Sequence, residues 1–455
     1  MEEKNPAFFD RFNNWVKGSI MLKLFTIGIF ILILLIPSGM ISGLIYERQE
    51  LRNDAQNEIT EKWGGEQTLG GLVLTVPYFT EVKYENGTKG TETRYAHFLP
   101  DELFVDGKII PEKRYRGIYV VMLYQSKLTI KGKFNKLKPE LLKIPMEKLQ
   151  FNNAFFNMGI SDMKGINESV LLELNGKKIP FQPGVESNDL FISGISAPAS
   201  VDPELLYDFQ FTLDLNGSKY LHFLPLGKVT VVNLISAWPS PSFDGNFLPD
   251  QREISQEGFK ASWKVLELNR NYPQQGTGSF ISHYSEDGEV EKDQTAKSAF
   301  GVKLLLPIDE YQKTMRSAKY NVMFILLTFL TFFFVEVLNK KRIHPLQYLL
   351  IGFGIVLFYV LLLSISEHVK FDYAYLISSL AIIALEISYS AYILKNLKLT
   401  AIVGLIFITL YAFFYSLLQL EDYSLLFGSL GLLVILALIM YLTRNINWYK
   451  INRNE

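Results

Sequence analysis

The chain has no cysteine among its 455 residues. That absence excludes disulfides, thiolate metal ligands and cysteine nucleophiles. Any part of it placed outside the cell stands on its core alone, which roughly 270 residues can supply. Neither sign of charge is in excess, since 45 Lys and Arg face 46 Asp and Glu for a net charge of −1. A nucleic-acid-binding protein carries a strongly basic domain, so no nucleic-acid partner is expected. Histidine is scarce. His97, His222 and His283 are scattered through the middle of the chain without the spacing of a metal site. HExxH, GxSxG, the P-loop and the dinucleotide fingerprint are all missing. No cofactor, no metal and no enzymatic activity are expected.

What the chain does have is long apolar runs. Residues 24–46 are 23 residues without a charge, enough to cross a hydrocarbon core of about 30 Å. The run is too long for a cleaved signal peptide and no small-residue cleavage pattern follows it, so it reads as a retained anchor. Five more spans follow at about 318–338, 345–366, 372–394, 399–420 and 423–443. Lys4, Arg11, Lys17 and Lys23 precede the first span. Alternate later connections carry Lys340, Lys341 and Arg342, then Lys395 and Lys398, then Arg444, Lys450 and Arg453. Every positive cluster falls on one side, which places both termini in the cytoplasm. The expected order is a cytoplasmic segment 1–23, a first span 24–46, an exported region 47–316, a five-helix bundle 317–443 and a cytoplasmic tail 444–455. The lipid bilayer is the first partner.

The exported region reads as β-rich. Residues 207–215 alternate, with Phe209, Phe211, Leu213 and Leu215 on one face and Asp208, Gln210, Thr212 and Asp214 on the other. Asn86-Gly87, Asp106-Gly107, Asn175-Gly176, Asn216-Gly217, Asp244-Gly245 and Asp287-Gly288 offer the positive φ angles of tight hairpins. Antiparallel sheets packed as a sandwich or open barrel are expected, with helices at the edges. One of these, near 310, would be capped by Asp309. An echo runs through the region: "HFLPD" at His97, "HFLPLG" at His222 and "NFLPD" at Asn246. It marks either two related lobes or an ordinary strand-to-proline turn.

Three groups of residues merit a functional reading. Glu386 stands alone near the middle of an apolar span, with Ser379, Tyr389 and Ser390 on its helix face. A carboxylate there faces the bundle interior by default. Either the stripe carries an ion or proton, or the protonated acid hydrogen-bonds across helices, which is the expected role. Tyrosines near span ends, with Trp448, read as interfacial belts. The second group is Trp238, Phe243, Asp244, Phe247 and Trp263 in a proline-rich segment. They could line a peptide or glycan groove, though a rigid loop over one end of the sandwich is the plainer account. The third group lies at the membrane faces. Glu336 and Lys340 stand four apart and can pair on one helix face, and Pro345 suits the first turn after His344. A lone interfacial histidine lacks convergent metal ligands. Glu367 and His368 close a span as an acid–imidazole pair or as a helix end.

Several strings in order, "HFLPDELFVDG" (97–107), "RGIY" (116–119), "WPSPSFDGNFLP" (238–249), "HPLQYLLIG" (344–352), "FYVLLLSISEH" (358–368) and "TRNINWY" (443–449), carry a resemblance over nearly the whole chain. The sequence resembles the CreD family of bacterial inner-membrane proteins, called cell envelope integrity proteins. One departure is Gly70-Gly71, where the family reads Gly-Pro, loosening a turn. The resemblance implies a place in an envelope-stress regulon, in colicin tolerance and in the response to β-lactams, with no reaction and no catalytic residues attached. The expected function is a scaffold or sensor that binds an envelope protein or glycan through its periplasmic region. One rival is a proton- or ion-coupled transporter using Glu386, but no inverted repeat and no pair of broken helices is visible. The other is a peptidoglycan- or lipid-modifying enzyme using Asp244, Glu253 or Glu257, which lack an obvious partner base.

The orientation can be checked directly because the chain is free of cysteine. Ser424→Cys should react with an impermeant maleimide in whole cells, whereas Asn396→Cys should react only after lysis. The reverse pattern would overturn the assignment made from Lys and Arg counts.

Overall fold

A computed structural model describes residues 20–83, 89–117, 119–281, 283–284, 290–291, 298–305, 310–339, 341–420 and 423–444. Contacts divide the chain into two units, Met1–Arg52 with Ile308–Glu455, and Asn53–Pro307. The expected helix cap Asp309 and Trp448 lie outside the described residues, as does Lys340.

The first unit is helical. Helix α1 (Ile20–Trp63) continues past its apolar run into a polar stretch and contains Pro37. Then come α2 (Glu310–Lys319), α3 (Asn321–Asn339), α4 (Pro345–Ser366), α5 (Phe371–Leu394), α6 (Leu397–Gln419) and α7 (Ser424–Thr443). Six helices, all but α2, are long and apolar enough to cross a membrane. Phe324, Phe329, Phe332, Tyr348, Phe358 and Phe371 are fully enclosed at the bundle centre. Their burial is what sets α3 to α6 side by side, since lipid tails offer no hydrophobic drive between helices and packing must hold them. Tyr348 and Tyr375, near span ends, are 2% and 4% exposed. They belong to the bundle interior and not to an interfacial belt.

The second unit is two facing sheets around one core. One sheet runs β13 (Pro241–Gly245), β19 (Phe300–Leu304), β11 (Tyr220–Phe223), β1 (Gln67–Lys83), β5 (Ala154–Ile160), β9 (Gly194–Ala199) and β8 (Gln182–Pro183). Strand β2 (Lys89–Phe98) also pairs with β1, and β16 (Gln275–Thr277) pairs with β2. The other sheet runs β14 (Gln251–Ser255), β15 (Gly258–Leu266), β12 (Val229–Ser236), β3 (Glu102–Arg116), β4 (Tyr119–Phe134), β10 (Tyr207–Ser218), β6 (Leu171–Leu174) and β7 (Lys177–Pro180). A short pair, β17 (His283–Tyr284) and β18 (Val290–Glu291), stands apart. Strand β10 buries Phe209, Phe211, Leu213 and Leu215 and exposes Asp208, Gln210 and Thr212, as the alternation requires. Most pairings are antiparallel, but β1 runs parallel to β11 and β3 parallel to β12.

The hairpin expectations divide. Asn175-Gly176 (φ 49° and 79°) turns β6 into β7 as expected. Asp106-Gly107 sits inside β3, where Gly107 leaves room for Leu128 and Leu234. Asn216-Gly217 also stays in a ladder, opposite Gln125 and Tyr124, and the chain turns only at Lys219 (φ 56°). Asp244-Gly245 ends β13, while Asn86-Gly87 and Asp287-Gly288 lie outside the described residues. Gly70-Gly71 is no turn. It forms a bulge in β1, whose register to β5 shifts between Leu69 and Leu72, and the Phe191 ring occupies the space a Cβ at Gly70 would need.

The echo resolves into a single device. Each Phe-Leu-Pro carries the chain from the first sheet to the second: β2 to β3, β11 to β12 and β13 to β14. Proline has no N–H to leave unpaired at the crossing. In two copies an aspartate then starts the new ladder in the same way. Asp101 N donates to Lys133 O while its carboxylate accepts from Asn135 N, and Asp250 N donates to Ser262 O while its carboxylate accepts from Lys264 N. The first two crossings meet beside β1, where Leu99, Leu224 and Leu226 pack with Val73 and Phe191. They are corners of one sandwich and not two lobes.

With its own core, residues 53–307 should fold when expressed alone, giving a β-dominated circular dichroism spectrum and one cooperative melt. Trp263→Ala, which empties the centre of that core, should lower stability by about 3–5 kcal/mol. A helical spectrum or the lack of a transition would contradict the assignment.

Candidate functional site

Helix α5 presents Glu386 to the middle of the bundle, where it is 2% exposed. Among the described residues neither carboxyl oxygen has a hydrogen-bond partner. The expected cross-helix hydrogen bond is therefore not formed. Nor does the polar stripe reach the acid. Ser379 Oγ donates to Leu376 O, Ser390 Oγ donates to the backbone O of Glu386, and Tyr389 is half-buried. Hydroxyls in a helix commonly turn back to the preceding turn in this way. The residues that do face Glu386 come from other helices. Gly354 of α4 has no side chain, and a Cβ there would lie 3.2 Å from Glu386 Oε1. Tyr411 of α6 is within electrostatic reach of the carboxyl, and its own hydroxyl is buried without a partner. Phe324 and Phe358 wall Tyr411 in, with ring centroids 4.6 and 5.1 Å away. A mid-span tyrosine opposite a mid-span acid was the available sequence signal for this pair.

The second intramembrane acid behaves differently. Glu336, at the end of α3, is buried and fully occupied. It pairs with Lys23 of α1 and accepts from Tyr348 Oη at 3.0 Å and Ile343 N at 3.1 Å. This partner is 313 residues away in the chain, while Lys340, four residues on, lies outside the described residues. It fastens the turn that leads into α4. His344 caps that helix: its Nδ1 accepts from Leu346 N, Gln347 Oε1 accepts from its backbone N–H, and Pro345 follows in the first turn. The imidazole Nδ1 is thereby committed to the helix start. Glu367 pairs with Arg48 of α1 at 3.4 Å, while His368 is exposed, so the two neighbours form no acid–imidazole pair.

In the β-rich unit the aromatic segment proves to be core. Trp238 and Trp263 are 6% and 0% exposed. Their indole N–H groups donate to Ser240 O and Leu305 O, and to Phe247 O. Phe243 packs edge-on against Phe259 and Trp263, and Phe247 against Phe300. Both tryptophans are buried, while Phe243 and Phe247 are partly exposed. The two histidines of the Phe-Leu-Pro corners are held alike. His97 lies between Thr75 Oγ1 (2.9 Å) and Asp189 (3.0 Å), stacked on Phe280, and His222 pairs with Asp244 at 2.7 Å, stacked on Tyr220. No cluster of three metal-ligating side chains occurs among the described residues. What the segment 238–263 does expose is its outer strand. All five residues of β14 are exposed, beside a hollow of about 440 Å³ lined by Lys108, Ile235, Glu253, Ile254, Glu257 and Lys260.

The sequence model of the family described as "Inner membrane protein CreD" matches residues 19–449. Inner membrane protein CreD of Escherichia coli (strain K12) is 33% identical over 440 residues, 95% of each chain. The chain belongs to the CreD family. It is accordingly a multi-pass inner-membrane protein, as the resemblance in its ordered strings implied. Among solved structures, the M1 zinc metallopeptidase from Deinococcus radiodurans aligns with 37% of this chain and 38% of that one. At 8% identity and a TM-score of 0.19 it carries no argument for a CreD chain.

One corner has a pH signature. The hydrogen bond from His97 holds the Asp189 carboxyl below the usual carboxylate range, assisted by Ser187 and opposed by partial burial. A depressed carboxyl stabilises the fold above its unfolded pKa, about 3.9, and that contribution is lost as pH falls through the lower folded value. Asp189→Asn should therefore lower the melting temperature of residues 53–307 at neutral pH and flatten the loss of stability below about pH 4. An unchanged acid limb would show that the bond contributes nothing.

Proposed function

We propose that this chain is an envelope-integrity scaffold or sensor of the inner membrane, whose β-rich unit faces the periplasm and binds an extended segment of another envelope protein. The observation that carries the reading is β14. It is a sheet edge, paired on one side with β15 alone, and its backbone groups can accept an added strand. Ile254 and Ile235, 51% and 46% exposed, offer apolar contacts beside it. Lys108, Lys260, Glu253 and Glu257 supply charges of both signs around the hollow. Strand addition needs these two parts, an open ladder for affinity and side-chain pockets for selectivity. Of the three acids considered for catalysis, Asp244 pairs with His222 and Glu253 with Lys260. The family's tie to envelope stress agrees with a binding role and asks for no reaction.

The test is a photo-crosslinking amino acid placed at Ile254 in the full-length protein in intact cells. One discrete protein adduct is expected, with its yield reduced at least about tenfold by Ile235→Glu, the equivalent of 1.4 kcal/mol. The same probe at the exposed Leu141 should give none. Equal adducts at both positions, or none at Ile254, would remove β14 as the binding edge.

A further inference from the structure

We propose that Glu386 is a reversible proton-binding site in the centre of the bundle, with Tyr411 as the donor that receives its ionised form and Gly354 as the notch that lets the carboxyl move. Three observations converge. First, an acid with a fixed structural role is normally hydrogen-bonded when buried, and an unsatisfied buried polar group carries a desolvation cost. Glu386 leaves both oxygens unsatisfied at 2% exposure. A leucine would fill the space without that cost, so the carboxyl is not there for packing.

Second, no cation is paired with it among the described residues. The helices packed around α5 present Gly354 from α4 and Tyr411 from α6. Tyr359 of α4 and Tyr375 of α5 lie within reach of Tyr411, and the Tyr375 hydroxyl is already spent on Tyr411 O at 2.8 Å. Lys23 is committed to Glu336. The resting group is a neutral acid, because an unpaired carboxylate at mid-membrane costs several kcal/mol. Third, an orphan phenol lies within electrostatic reach of the carboxyl. The Tyr411 hydroxyl has nothing to donate to among the described residues. Once the acid loses its proton, a charge-assisted O–H···O⁻ bond becomes available, roughly twice as strong as a neutral one. Gly354 places no Cβ in the way of that swing.

Dicyclohexylcarbodiimide tests this on the purified full-length protein in lipid vesicles. A protonated carboxyl adds to the reagent: the acid proton moves to one nitrogen, an oxygen bonds to the central carbon, and rearrangement leaves a stable N-acylurea. Peptide mass mapping should find the adduct on Glu386, absent in Glu386→Gln. Glu336, which pairs with Lys23, serves as the internal control and should stay unmodified. Labelling should fall as pH rises, by about tenfold per pH unit beyond the transition, the slope of one proton. Tyr411→Phe should keep the labelling and move that transition to higher pH, because the ionised form loses its donor. Labelling independent of pH would mean a permanently protonated acid and overturn the proposal. So would no reaction at Glu386, and so would protection by added sodium at constant pH and ionic strength, which would make the site one for a metal cation.

Discussion

A strand that leaves one sheet for another must account for every backbone group it takes out of the ladder, since buried N–H and C=O groups are almost always paired. The β-rich unit meets that demand three times with Phe-Leu-Pro. The proline removes a donor at the crossing, and at two of the three corners an aspartate supplies both a donor and an acceptor to the receiving strand. Corners built this way set the register of β3 beside β12, Glu102 opposite Val229. That register in turn closes the core around Trp263. No disulfide is needed, because the ends of the sheets are fastened by hydrogen bonds and by the leucines of two corners packed together.

The helical unit shows the same demand met and unmet within one bundle. Glu336 has a cation, a phenol and a backbone amide, and such a fully satisfied ion pair is costly to break, by about 3–5 kcal/mol when one partner is removed. Glu386 has none of these. Two acids of the same type, on helices of one bundle, therefore occupy opposite ends of the range from fastener to spare valence. Burial alone does not distinguish them, since both are under 5% exposed. Only the partner set does.

This explains what could be read from the sequence. Long apolar runs and the two-residue alternation of β10 were legible because solvent acts on each residue separately, whichever neighbours it later meets. The six helices and the β-rich unit follow from that. Asn-Gly and Asp-Gly pairs were a weaker guide: Asn175-Gly176 turns, whereas Gly107 and Gly217 serve close approaches to Leu128 and Tyr124 that depend on the neighbouring strands. The surroundings of Glu336 and Glu386 were harder still, for Lys23, which pairs with Glu336, and Gly354, which faces Glu386, come from other helices. The aromatic segment left two readings open, of which the packed loop was the plainer. Prolines and tryptophans at a corner look alike from sequence whether they face a ligand or the core.

The pairing of Lys23 with Glu336 spans 313 residues. At a synthesis rate of about 5–20 residues per second, roughly 15–60 s separate the emergence of the two side chains from the ribosome. Throughout that interval Lys23 of α1 is without its counter-ion. Assembly of the bundle is therefore necessarily post-poned until the entire β-rich segment has been made. The first helix acts in the meantime as a lone tether, and the quality of the finished bundle reports on whether the intervening chain was completed.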